Sequence, residues 1–279
     1  MSCDLARPAI RWRDLRPLRK WQIVRELTLP LPWLALSLWL AQGQLYLVAL
    51  PFTFLTFLFS LRLVHDAWHR TLNLPRWAYD IVIVLSSAVM LGSMHAIRLT
   101  HLVHHRSCLD HEDIEGRSAR MTALRSILSG PVLFLVKHAK AWGLGADGDR
   151  RWIAVELLIN VVLLVLVFGL LDIPELKYHV LAMGAAQWLF PFFSVWLVHR
   201  GCDASHVVAR TLRGRLKNLV FAEMLYHAEH HLFPAVPTCR LARLAERIDR
   251  AAPELSRSGV FSFSDLDVRA HRVADTPRS

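Results

Sequence analysis

Long apolar stretches alternate with short polar breaks along this chain, and the breaks predict its elements. Leu27 to Ala41 is apolar but short, carries Pro30 and Pro32, and ends at Gln42-Gly43-Gln44. Leu45 to Val64 follows and can cross a hydrocarbon core of roughly 30 Å at about 1.5 Å per residue. The pair reads as a helical hairpin whose second helix continues to His65 and His69. Ile81 to Met94 is shorter and suits a re-entrant or interfacial segment. Ile153 to Leu171 is a strong span, interrupted by Glu156 and Asn160. Asp172-Ile173-Pro174-Glu175 turns the chain, and Tyr178 to Val198 is a further span with Pro191 as a kink. Leu241, Leu244, Ala245 and Ile248 form one stripe, as in an amphipathic surface helix. The expected fold is all-α and integral to the membrane, with about four transmembrane helices and a histidine-rich helical cap.

Composition excludes an ordinary soluble domain, since 54% of the 279 residues are hydrophobic. The formal charge of +10 does not point to nucleic acid, because the basic residues flank apolar spans instead of forming one block. All Lys and Arg except Arg62 and Lys177 lie in residues 1–26, 65–152 and 199–279. By the positive-inside rule both termini and the cap face the cytoplasm. Residues 1–26 read as a basic amphipathic segment on the membrane surface, with a disordered basic tail as the alternative. Residues 27–260 form the membrane domain and 261–279 a loose tail. No cleavable signal peptide is evident, and Cys3, Cys108, Cys202 and Cys239 are expected to be reduced thiols on one side.

The histidines supply the candidate chemistry. His65 and His69 are spaced i, i+4; His101, His104 and His105, and again His227, His230 and His231, are spaced i, i+3, i+4. On a helix each box presents its imidazoles from one face. Imidazole suits iron, copper, nickel or zinc, and these eight exceed one tetrahedral site but suffice for two ions with open positions. The competing reading is a chance cluster or polar residues at a membrane interface. Asp66 and Glu229, inside the boxes, are read as orienting ligand imidazoles through the second ring nitrogen. Asp110, Glu112 and Asp113 are open to the same role or to solvation. Glu156 and Asn160 either line a substrate tunnel or make a structural hydrogen bond. His95 reads as structural, and His111, His138, His179 and His271 as non-ligands.

The three boxes, the Phe233-Pro234 and Val236-Pro237 tail and Arg210-Thr211 resemble the membrane fatty acid desaturase and hydroxylase superfamily over roughly residues 45–250. The resemblance implies a di-iron centre, molecular oxygen and two electrons from a separate ferredoxin- or cytochrome-type donor. It also implies a ninth histidine between the last span and the third box; His199 is preferred and His206 is its rival. Ala222-Glu223-Met224-Leu225 departs from the asparagines often found before the third box, which blurs the subfamily.

The expected activity is oxygen-dependent desaturation of a fatty acyl chain drawn from the bilayer, in a bacterial-type inner membrane. Hydroxylation or ketolation of a lipid or carotenoid is the alternative. A membrane metal-transport protein is a distant one, disfavoured because the boxes lie outside the spans.

Overall fold

The structure is a computed structural model that describes residues 10–202, 209–212 and 214–251. Among the described residues there are helices and no β-strand. After a 3-10 turn at Arg13–Leu15, α1 (Lys20–Thr28) and α2 (Leu31–Gln42) run on as one candidate span, Lys20–Gln42. Pro32 in the first turn of α2 costs no internal hydrogen bond, which is why the proline pair starts a helix there instead of breaking one. α3 (Tyr46–Trp68) returns antiparallel, as the short Gln42–Leu45 connection requires, and ends at the first histidine box.

α4 (Arg76–Met90) and α5 (Met94–Arg106) meet at 108°, a broken span or a re-entrant loop. Leu91 closes α4 in the left-handed conformation, and the Ser93 hydroxyl caps α5 by accepting from Ala96 N–H at 3.1 Å. Between them Gly92 faces the Phe134 ring, where a Cβ would sit 2.6 Å from Cζ. Glu156 fixes the corner from inside: it accepts from Ser93 Oγ at 2.6 Å and from the His95 amide at 3.0 Å, and lies 2.9 Å from His95 Nδ1. Asn160 donates to Ser87 Oγ at 3.1 Å. Of the two readings of Glu156 and Asn160, the structural hydrogen bond is the one present.

α6 (Ala123–Leu128) and α7 (Gly130–Leu144) follow, and a Cβ on Gly130 would collide with the Trp188 carbonyl. α8 (Asp147–Val165) and a π-turn at Leu166–Leu170 form the third candidate span. Its Leu158, Val161, Val165 and Leu170 are exposed, a lipid-facing stripe. α9 (Pro174–Trp188) starts the fourth, Pro174–His199. Past Leu189 it gives way, beside Pro191, to a π-turn at Phe192–Trp196, and α10 (Leu197–His199) ends it. α11 (Arg215–Val220) and α12 (His227–Leu232) carry the chain to the third box, and α13 (Leu241–Ala251) closes the described part.

The stripe on α13 is covered by protein. Leu241, Leu244 and Ile248 pack with Phe233, Val236 and Leu15, and with Ile10 and Trp12 beside them. The N-terminal apolar residues near the third box therefore face the protein, where the sequence suggested lipid. Arg247 clamps Asp14 through two bonds of 2.7 and 2.8 Å, holding that carboxyl down to about 2. Inside α3, buried Arg62 pairs with Glu26 of α1 at 2.7 Å and Glu223 at 2.9 Å, tying the first helix to the approach to the third box.

Candidate metal centre

Four elements deliver the histidines to one place. α3 brings His65 and His69, α5 brings His101, His104 and His105, α10 brings His199, and α12 brings His227, His230 and His231. The rings fall into two groups. In the first, one ligand atom each from His65, His69, His101, His105 and His230 lie within 4.8 Å of one another. In the second, His104, His199, His231 and Cys108 do the same. His227 adjoins the second group, its Nε2 2.9 Å from that of His199 and 3.1 Å from that of His231. The groups touch where the His105 and His231 rings stack at 4.3 Å. Rival His206 lies outside the described residues.

The division follows helix geometry. At about 100° per residue, positions i and i+4 point together, and i+3 points away to one side. His101 and His105 of the second box thus face the first group, and His104 the other. In the third box the assignment is reversed: His227 and His231 turn to the second group and His230 to the first.

Carboxylates settle the tautomers. His101 Nδ1–H donates to Glu115 Oε2 at 3.1 Å and His104 Nδ1–H to Asp113 Oδ2 at 2.8 Å, since a carboxylate can only accept. In the neutral ring the Nε2 atom of each is then a bare lone pair; burial would lower His104, but Cys108 and Asp113 beside it raise it above the ordinary histidine range. The His101 lone pair meets His69 Nε2 at 3.0 Å and His105 Nε2 at 3.1 Å, and that of His104 meets His199 Nε2 at 3.1 Å. Neither ring nitrogen of buried His65 has a hydrogen-bond partner among the described residues. A buried imidazole with neither nitrogen bonded is costly without a cation. Ligands about 2.1 Å from one ion at right angles lie about 3.0 Å apart, which is the spacing seen. The residues present fit two metal ions.

Burial and the neighbouring rings hold His227, His230 and His231 well below the ordinary histidine range. Burial, with the Arg98 charge nearby, pushes His69 down to about 4. These imidazoles are neutral at neutral pH, the form that binds metal. Burial by itself would raise Asp113, but bonds from His104 and the Gly116 and Leu109 amides hold it below the usual carboxylate range.

Asp66 and Glu229, read from the sequence as orienting ligand imidazoles, bond to threonines. Asp66 accepts from Thr71 Oγ1 at 2.9 Å, and from Thr238 N–H at 3.1 Å and Oγ1 at 2.9 Å, so it ties the first box to the tail of the third. Glu229 accepts from Thr211 Oγ1 at 3.0 Å. The sequence-stretch Arg210-Thr211 joins the last span to the third box, with Ala228 N–H bonded to the Arg210 carbonyl at 3.1 Å. Asp110 and Glu112 are exposed. Glu115 was not anticipated, nor was Lys137, whose Nζ lies 3.0 Å from Glu115 Oε1; no spacing rule links them to His101. Cys108 was not anticipated as a neighbour of the site either.

Of the other histidines, His95 bonds Glu156, His138 accepts from Ser93 N–H, His179 donates to the Val89 carbonyl and His111 is exposed. His271 lies outside the described residues.

A small cavity opens beside the imidazoles, lined by His65, His101, His104 and His227 together with Leu61, Phe190 and Met224. A second cavity, lined by Met94, Ile97, Phe134 and Gln187, shares Phe190 with it.

The fatty acid desaturase family model matches residues 37–262, and the chain belongs to that family. It is an integral membrane protein of the desaturase and hydroxylase type, with oxidoreductase activity in general. No curated protein matches the chain.

Proposed function

We propose that this member of the fatty acid desaturase family is an oxygen-dependent acyl desaturase. It removes two hydrogens from an unactivated chain: R–CH2–CH2–R′ + O2 + 2 e⁻ + 2 H⁺ gives R–CH=CH–R′ + 2 H2O. The observation that carries the reading is the pair of imidazole groups gathered at the ends of the membrane helices. His65, His69, His101, His105 and His230 would hold one iron, and His104, His199, His227 and His231 the other. Bound iron supplies the oxygen activation and C–H cleavage that side chains cannot perform.

The chain's own residues do the rest. Glu115 and Asp113 fix the rings of His101 and His104 with the lone pairs inward. Leu61, Phe190 and Met224, beside the imidazoles, would be the apolar contacts of an entering chain. Electrons come from a separate ferredoxin- or cytochrome-type protein. The charge distribution supports cytoplasmic termini, and the membrane is a bacterial-type inner membrane.

The test is mass spectrometry of total lipids from a bacterial host expressing the chain, against His230→Ala, together with the iron content of the purified protein. New double bonds absent from the variant bear the proposal out. Hydroxylated products would move the activity to hydroxylation. A metal-free protein that leaves lipids unchanged even with a supplied donor would overturn it.

A further inference from the structure

Cys108 belongs to the second imidazole group by position. Its side chain is 1% exposed, and Sγ lies 3.9 Å from both His104 Nε2 and His199 Nδ1. It follows His104 by four residues, just past the end of α5. A buried thiol is commonly no more than a small apolar filler, and Leu109, Ala119 and Val195 pack around this one. Two observations go further. Asp113 occupies Nδ1 of His104, so Nε2 is the ring nitrogen left to face the sulfur. Sγ is also within 4.8 Å of the ligand atoms of three histidines at once. Bonds of about 2.3 Å to sulfur and 2.1 Å to nitrogen put the two donors about 3.1 Å apart at a right angle and about 3.6 Å apart at a tetrahedral one, so the observed spacing corresponds to a wider angle at the ion than the imidazole pair subtends.

We infer that Cys108 is a thiolate ligand of the second metal ion, which makes the two sites chemically unequal. The first site has nitrogen donors only, whereas the second has imidazoles and one sulfur. Binding converts Cys108–SH and a divalent ion to a Cys108–S–metal bond, and the thiol proton leaves to buffer. A softer, anionic donor lowers the net charge of that site and favours the ion there over its neighbour when metal is scarce. The inference rests on the two-metal reading of the centre.

The experiment is cobalt(II) substitution of the full chain in detergent, followed by near-ultraviolet absorption. The variant Cys3→Ser, Cys202→Ser, Cys239→Ser keeps Cys108 as its sole thiol. This variant should take up two cobalt ions and show a sulfur-to-cobalt charge-transfer band. Adding Cys108→Ser should abolish the band. If two ions bind with no such band while Cys108 is present, the inference falls and the two-metal reading stands. If no cobalt binds, both fall. A chain that loses metal and fold on Cys108→Ser leaves the sole-thiol variant to decide.

Discussion

Glu115 joins His101 to Lys137: one carboxylate oxygen meets the His101 ring at 3.1 Å and the other meets the Lys137 ammonium at 3.0 Å. All three are buried. The ammonium also lies 4.2 Å over the Phe190 ring, which walls both cavities. A charge on α7 is thereby linked to the orientation of an imidazole on α5.

Glu115→Gln removes the charge that keeps the His101 lone pair inward. Metal retention should fall by about 10- to 100-fold, the usual cost of losing a carboxylate behind a ligand histidine. Release of iron into a chelator from solubilised protein measures it. Release as slow as wild type would show that His101 needs no such support.

Asp66→Ala should behave differently. It breaks the tie to Thr71 and Thr238 and should cost about 1–3 kcal/mol of stability, seen as a lower Tm. Metal per folded chain should stay at the wild-type level. A loss of metal with Tm intact would return Asp66 to the role of orienting an imidazole.

Gly130→Ala should destabilise by about 1–3 kcal/mol, because the new Cβ meets the Trp188 backbone and not a movable side chain. Gly143→Ala, in the same helix with nothing near its Cβ, is the control and should be neutral or stabilising. Paired thermal melts compare them.

The metal-free protein should lose stability in acid. His69 titrates near 6.5 in an unfolded chain and at about 4 when folded. Between those values the unfolded chain binds more protons, so stability falls as pH falls, and the loss saturates below about 4. The buried third-box histidines add to it in the same direction, and His104, which burial would lower but Cys108 and Asp113 raise, opposes it. Denaturant melts across this range check the slope, and a flat profile would count against neutral buried imidazoles.

Much of the architecture was legible because its signals are local. Apolar runs marked the four candidate spans, and the i, i+4 spacing marked the boxes on helices. The short Ile81–Met94 run read as re-entrant or interfacial, and the 108° break fits that reading. The first span reached back to Lys20 through residues taken for a surface segment, because Glu26 is neutralised by Arg62 in the interior. That pairing crosses 36 residues and leaves no local trace.

The sequence by itself determined that histidines meet at the ends of membrane helices, since periodicity alone puts them on shared faces. Only the tertiary structure decided how those faces divide. The i+3 histidine of the second and third boxes points aside from its i, i+4 pair, and the way the α5 and α12 rings meet sends those two boxes to opposite groups. Packing also chose Glu115, Asp113 and Cys108 as neighbours of the rings and gave Asp66 to Thr238. Contacts of that kind depend on where separate helices come to rest, which no spacing along the chain encodes.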